Sequence, residues 1–138
     1  MIKVVGLGPG SPEALTIGAL EVLRKSQNVF LRTEKHPTVE YLREMNIEYS
    51  TYDNAYENND SFDDVYNYIA RDLIEKHQDM GDIVYAVPGH PFVAEKSVNL
   101  LIELSNKENI ETKVYSAVSF IDAIMESLKI DPVEGIKV

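Results

Sequence analysis

A chain of 138 residues, 44% hydrophobic and 26% charged, has the size and composition of one soluble globular domain with a substantial core. Its net charge of −10, from 23 acidic and 13 basic residues, argues against a nucleic-acid groove or an anionic membrane surface, which need clustered Lys and Arg. The absence of cysteine excludes disulfides and thiolate chemistry and disfavours structural zinc, and no apolar run reaches the roughly 18–20 residues of a membrane span.

Met1-Ile2-Lys3 runs straight into an apolar segment, leaving no room for a signal peptide, so the expected location is cytoplasmic. Ile2–Gly6 reads as a buried strand that breaks into the loop Gly6-Leu7-Gly8-Pro9-Gly10-Ser11-Pro12. Glycines there admit backbone angles closed to other residues and let a ligand approach the main chain, while Pro9 and Pro12 stiffen the loop. Thr16 is placed to cap a helix carrying Ile17, Leu20 and Leu23 as far as about Lys25. Residues 27–32 form a second strand, with Val29 and Leu31 on one face. His36-Pro37 opens a short helix with Val39, Leu42 and Met45, and residues 47–52 read as a weaker strand near an edge.

Residues 53–60 are polar and read as a loop; Asp53, Glu57 and Asp60, with Asp63 and Asp64 just beyond, make a solvated acidic surface. Ser61 and Asp64 resemble a capping box before a helix through Val65, Tyr68, Ile69, Leu73 and Ile74 to about His77. Residues 82–87 are a convincing strand ending at a second loop, Pro88-Gly89-His90-Pro91. Next come a helix over 93–106, a fifth strand over 112–115 and a helix over 118–128, the last with Ile121, Ile124 and Leu128 on one stripe and Asp131-Pro132 as its stop. Residues 135–138 begin an apolar segment, read as the first part of a truncated strand, so the chain is expected to be the front part of a longer protein. Strands and helices alternate throughout. The expected fold is α/β, a five-stranded, mainly parallel sheet with helices on both faces.

Both glycine loops come directly after strands, where open α/β sheets bind ligands. The first loop is a partial match to the dinucleotide fingerprint: its third glycine, Gly10, comes one place early, and Glu34 after the second strand stands where a ribose-binding acid would. A purely structural tight turn fits the same residues. In the second loop His90 can act as a general base or hydrogen-bond a ligand, or be a partly exposed loop residue without chemistry. Glu95, one turn into the helix over 93–106, is explained by stabilisation at the positive end of that helix's dipole. His36 and His77 share no ligand spacing with His90, so no metal site is expected. Neither a phosphate-binding Gly-Lys-Ser/Thr loop nor a Gly-x-Ser-x-Gly elbow is present, which leaves Ser116, Ser119 and Ser127 without a nucleophile's context. Tyr41, Tyr49, Tyr52, Tyr56, Tyr66 and Tyr68 read as half-buried packing residues.

Three stretches together resemble the tetrapyrrole (corrin/porphyrin) methylase family. The first runs from Val5 through Gly8-Pro9-Gly10-Ser11-Pro12 to Leu15-Thr16 and Ala19-Leu20, with Ser11 where Asp is common in the family. The second is Val87-Pro88-Gly89-His90-Pro91 with Ala94-Glu95, in the family's Gly-Gly-Asp-Pro position; this form is similar to the subgroup fused to a MazG-type nucleotide pyrophosphohydrolase. The third is Tyr115-Ser116-Ala117-Val118-Ser119-Phe120 with Ile130-Asp131-Pro132-Val133-Glu134-Gly135. The resemblance implies an S-adenosylmethionine-dependent methyltransferase whose cofactor lies between two α/β domains. Residues 1–116 would be the N-terminal domain, and 117–138 its last helix and the start of a crossover to a missing C-terminal one. It also implies cofactor contacts at Gly8, Pro9, Gly10, Pro88, Gly89, His90, Ser119 and Phe120, and a small-molecule methyl acceptor of tetrapyrrole type. No single catalytic residue is expected. With one wall of the cleft absent, the chain alone is expected to bind cofactor weakly or not at all and to pair as a homodimer. The alternative is a non-catalytic ligand-binding or regulatory module fused to the pyrophosphohydrolase.

Overall fold

The computed structural model describes residues 1–135. The central strands are β1 (Ile2–Gly6) and β4 (Ile83–Val87), flanked by β2 (Val29–Leu31) and β3 (Ser50–Thr51) on one side and β5 (Thr112–Val114) on the other. The order is β3-β2-β4-β1-β5, and every pairing is parallel. Strands covered on both faces need apolar residues in succession. The sequences Val-Phe-Leu of β2 and Ile-Val-Tyr-Ala-Val of β4 are buried throughout.

Register divides each strand between two cores. Ile2 lies beside Ile83 and Val4 beside Tyr85, and all four join Phe30 and Val87 on one face. Val5, Val29, Leu31, Val84 and Ala86 occupy the other. The second face is covered by α1 (Ile17–Lys25), through Ala19 and Leu23, and by α2 (Thr38–Glu44), through Val39 and Leu42. The first is covered by α4 (Phe62–Met80), through Val65, Ile69, Ala70, Leu73 and Ile74, and by α5 (Lys96–Lys107), through Val98 and Leu101. The connection leaving β1 therefore crosses one face while the connection leaving β4 crosses the other. Adjacent strands whose connections part in this way open a crevice at their carboxyl ends.

The five strands fall where the sequence pattern puts them: β1 matches its expected bounds and the other four are trimmed at their ends. Thr16 caps α1, its hydroxyl accepting the Ala19 N–H at 3.1 Å, and Ser61 caps α4 at the Asp64 N–H. Several boundaries move. The expected loop at 53–60 contains a one-turn helix, α3 (Ala55–Asn58), whose Ala55 is buried. The helix expected to end near His77 continues to Met80 and stops at Gly81, whose φ of 85° suits glycine. The helix expected from Val93 starts at Lys96, because the chain first makes a turn closed by the Val93 N–H on the His90 carbonyl, with Ala94 at φ 53°. The last helix, α6 (Phe120–Leu128), ends at the left-handed Lys129 and not at Asp131-Pro132, which opens a 3₁₀ turn, Pro132–Glu134. The strand expected at 135–138 lies outside the described residues, apart from Gly135. No helix among the described residues is long and apolar enough to cross a membrane.

Candidate functional site

The crevice between β1 and β4 is where the two glycine loops meet. The Gly8 N–H donates to the Gly89 carbonyl at 3.2 Å and the Gly89 N–H donates to the Gly8 carbonyl at 2.9 Å, an isolated antiparallel bridge beyond the parallel ladder. Both residues hold positive φ, 76° at Gly8 and 65° at Gly89, where a side chain is strained. Space above them differs. A Cβ on Gly8 would meet the Ala14 carbonyl at 3.1 Å, whereas one on Gly89 would meet nothing within 4 Å. The second loop thus presents bare backbone to open space.

Gly6 explains how a third segment joins. A Cβ there would lie 2.2 Å from the Gly89 carbonyl oxygen, 2.5 Å from the Ala117 Cβ and 3.0 Å from the Pro91 ring. The end of β1, the second loop and the residues leading to α6 converge on that one bare Cα. The Thr16 hydroxyl adds a bond to the Ser116 carbonyl at 3.3 Å. Ser119 then starts α6 in a full capping box. Its hydroxyl accepts the Ile121 N–H and donates to Asp122, while its own N–H donates to Asp122 Oδ2 at 2.8 Å. That backbone bond foremost holds the Asp122 carboxyl below its usual range, with His90 among the nearby groups that help.

The three motifs singled out in the sequence therefore assemble at one end of the sheet. Gly8 and Gly89 meet at the crevice with Pro88 and His90 on either side of Gly89, Gly10 faces the Pro37 ring, and Pro9 is exposed at the first loop. The His90 Nδ1 accepts the Phe92 N–H at 3.0 Å, which leaves Nε2 as the protonated nitrogen of the neutral ring. Ser119 is buried and its hydroxyl is engaged in the cap; Phe120 is partly exposed. Glu34 is turned to the side of α2, pairing with Arg43 at 3.3 Å and accepting from the Tyr49 hydroxyl.

Three participants were not legible as such. His36 donates from Nε2 to the Gly8 carbonyl at 3.0 Å while its Nδ1 accepts the Thr38 N–H, which fixes the tautomer. Burial holds this ring below the usual histidine range. Glu95, expected to support a helix end, makes no cap bond. Its carboxylate is buried 3.0 Å from Arg32 Nε, a coulombic contact because that N–H is not aligned on the oxygen. It also accepts the Ser97 hydroxyl, which in turn accepts from Tyr85. Burial raises the Glu95 carboxyl, against the pull of Arg32 and Ser97. Arg32, the third, completes the set from the end of β2. The available signal was position: Arg32 and His36 leave a strand at the same sheet end as the loops.

Such a sheet, with bare-backbone loops paired at its switch point, defines an open, parallel α/β fold. The chain belongs to the family Tetrapyrrole (Corrin/Porphyrin) Methylases, which it matches over residues 1–138. It is 47% identical over 134 residues to the uncharacterized protein YabN of Bacillus subtilis (strain 168), covering 97% of this chain and 27% of that protein. Among solved structures it is similar to a uroporphyrin-III-C-methyltransferase from Thermus thermophilus, with TM-score 0.72, 22% identity, and coverage of 95% of this chain and 53% of that one. A structure of uroporphyrin-III C-methyl transferase from the same organism complexed with S-adenyl homocysteine gives TM-score 0.64 at 19% identity, over 91% of this chain and 47% of the other. The chain thus spans about half the length of these solved relatives and 27% of YabN.

Proposed function

We propose that this chain is the N-terminal half of an S-adenosylmethionine-dependent methyltransferase acting on a small molecule of tetrapyrrole type. The observation that carries the reading is the two-way Gly8–Gly89 bridge at the sheet's switch point, beside an open Gly89. Bare, rigid backbone at a strand's carboxyl end is what a nucleoside-bearing cofactor approaches closely. Support comes from family membership and from the S-adenyl homocysteine complex of a similar fold.

Gly8, Pro9 and Gly10 would form one border of the cofactor site, Pro88, Gly89 and His90 a second, and Ser119 and Phe120 a third. The cofactor, when bound, supplies an electrophilic methyl group on a sulfonium. This chain's residues supply position and a polar rim, consistent with a transfer that needs alignment more than an acid or base. Among the described residues, His90 is the one rim side chain with a free donor, at Nε2. Residues 117–138 would be the last helix and the start of a crossover to a second domain, and the exposed Phe120, Ile124 and Leu128 form the face that this wall, or a second copy of the chain, would cover. The isolated chain is accordingly inactive.

A non-catalytic module fused to a MazG-type nucleotide pyrophosphohydrolase is the second reading. It is favoured by the Pro88-Gly89-His90-Pro91 form of the loop and by the 27% share of YabN that this chain covers. Calorimetric titration of the whole protein with S-adenosylmethionine and with NAD separates the methyltransferase reading from dinucleotide binding at the first loop. Saturable heat with the former alone is expected. Heat with NAD and none with S-adenosylmethionine would remove the methyltransferase proposal.

A further inference from the structure

The connection between β2 and α2 touches both glycine loops, each by a different chemistry. Arg32 continues the ladder one residue past β2, its N–H donating to the Ala86 carbonyl at 3.0 Å, so β4 sets its position. From there its guanidinium reaches Glu95 at the far end of the second loop and donates from Nη1 to the Tyr56 hydroxyl at 2.7 Å. Glu95 directly succeeds Ala94, whose φ of 53° is unfavourable for a residue with a Cβ. The pairing of buried Glu95 with half-buried Arg32 restrains the end of that turn. Four residues on, His36 grips the first loop at the Gly8 carbonyl, and the Pro37 ring faces Gly10, 3.5 Å from where a Cβ would stand.

The connection is itself pinned. Asp53 accepts the Thr33 hydroxyl at 2.5 Å and the Glu34 N–H at 3.0 Å, and the Lys35 N–H closes onto the Thr33 hydroxyl. A segment so fixed can transmit position rather than move with the loops it touches. The Gly8 carbonyl receives two donors, Gly89 N–H and His36 Nε2–H, so its direction is fixed from both sides.

We infer that residues 32–37 form a clamp that sets the two glycine loops relative to one another, with Arg32 and His36 as its positioning residues. Neither residue is assigned to cofactor or substrate contact. The clamp's bearing on methyl transfer rests on the cofactor reading above, but its existence does not.

The test is residue-resolved amide hydrogen exchange on the whole protein, comparing wild type with His36→Ala, His36→Gln, Arg32→Met and Arg32→Lys. The bridge amides of Gly8 and Gly89 are expected to exchange about tenfold faster in His36→Ala, while the buried amides of Ile69 and Leu73 in α4 hold their rates. Gln keeps an N–H donor at the same reach and should bring the bridge back to within about threefold of wild type. Arg32→Met is expected to free the amide of Val93, which closes the turn onto the His90 carbonyl, by a similar factor, with the lysine variant intermediate and available if the methionine variant fails to fold. Unchanged exchange at Gly8 and Gly89 in His36→Ala overturns the clamp. So does a uniform rise that includes Ile69 and Leu73, since that reports only lost global stability. Titration with S-adenosylhomocysteine on the same samples keeps the two ideas apart. Faster bridge exchange with weakened uptake supports both, whereas faster exchange in a protein whose wild type takes up none supports the clamp and removes the cofactor reading.

Discussion

Helices α5 and α6 start from comparable places and end in different surroundings. Each begins a few residues past a segment that packs on Gly6, and each carries apolar residues at helical spacing. α5 buries Ser97, Val98, Leu101 and Ser105 on the sheet and against α4. α6 buries none of its nine residues; Phe120, Ile124 and Leu128 remain 38%, 42% and 64% exposed. Yet α6 has the better ends, with a reciprocal capping box and a left-handed C-cap, while α5 begins on an uncapping Glu95. Local signals suffice to start and stop a helix, but most helical stability in a protein comes from the face it buries. α5 is held by its core and α6 by its caps.

The most damaging way to test that contrast is on the packed side. Leu101 is fully buried among residues of α4 and the sheet, so Leu101→Ala removes apolar contact and leaves a cavity. The expected cost is about 3 kcal/mol, read as a lower denaturant midpoint at unchanged slope. A cost near that of a surface substitution would mean that α5 is not fixed by its core.

The junction shared by both helices comes next. In Gly6→Ala the added methyl meets the Gly89 carbonyl, Ala117 and Pro91 together, two of the three within 2.5 Å. Relief requires moving the second loop or the approach to α6, at an expected cost of about 2 kcal/mol. The measurement is thermal unfolding together with chemical shifts of Gly89 and Ala117. Small changes confined to Gly6 would show that the three segments are less closely joined than their distances state.

Much of this was legible in the chain and some was not, for identifiable reasons. The runs at 2–6 and 83–87 could be read because a strand buried on both faces must be apolar at every position. The two glycine loops could be read because positive φ favours glycine at Gly8 and Gly89, and the Ala14 carbonyl crowds Gly8 as well. Their contact with one another could not, since it depends on β1 and β4 being neighbours across 81 residues of sequence. Glu95 was misjudged for the same reason. An acid in the first turn of a helix matches a local rule, and the pattern gives no sign of Arg32, which the β2–β4 pairing brings to the same carboxylate that accepts the Ser97 hydroxyl. The start of α5 was misplaced because Val93 and Ala94 have no feature that forbids helix; the turn there is imposed by Pro91 and by the loop's attachment at both ends.

A smaller effect concerns pH. Burial leaves His36 less basic in the folded chain than in the unfolded one, which takes up a proton near pH 6.5. Between these two values the unfolded state binds more protons, so His36 lowers stability as pH falls below about 6.5, and its effect levels off below the folded value. His36→Gln cannot titrate. Comparing urea midpoints of the two proteins at pH 7.5 and 5.5 should show a pH-dependent difference of under about 1 kcal/mol, allowing for the screening of a half-exposed ring. Parallel profiles would mean that His36 keeps an ordinary pKa in the fold.

The smallest expected effect falls on α6, and it closes the comparison from the other side. Leu128→Gln exchanges residues of nearly equal helix propensity, so the caps of α6 are untouched and only side-chain burial is probed. With Leu128 exposed, the expected change in this chain is within about 0.5 kcal/mol, against the larger loss at Leu101. The same substitution in the whole protein supplies the contrast. If a second domain or a second copy covers the stripe, Leu128 becomes a buried residue there, and the glutamine should cost about 2 kcal/mol or lower the association constant by a comparable free energy. Sedimentation velocity alongside unfolding distinguishes these two forms of cover. A large loss already present in the isolated chain would show that α6 is packed in its own fold, and the distinction between a helix held by its core and one held by its caps would fail.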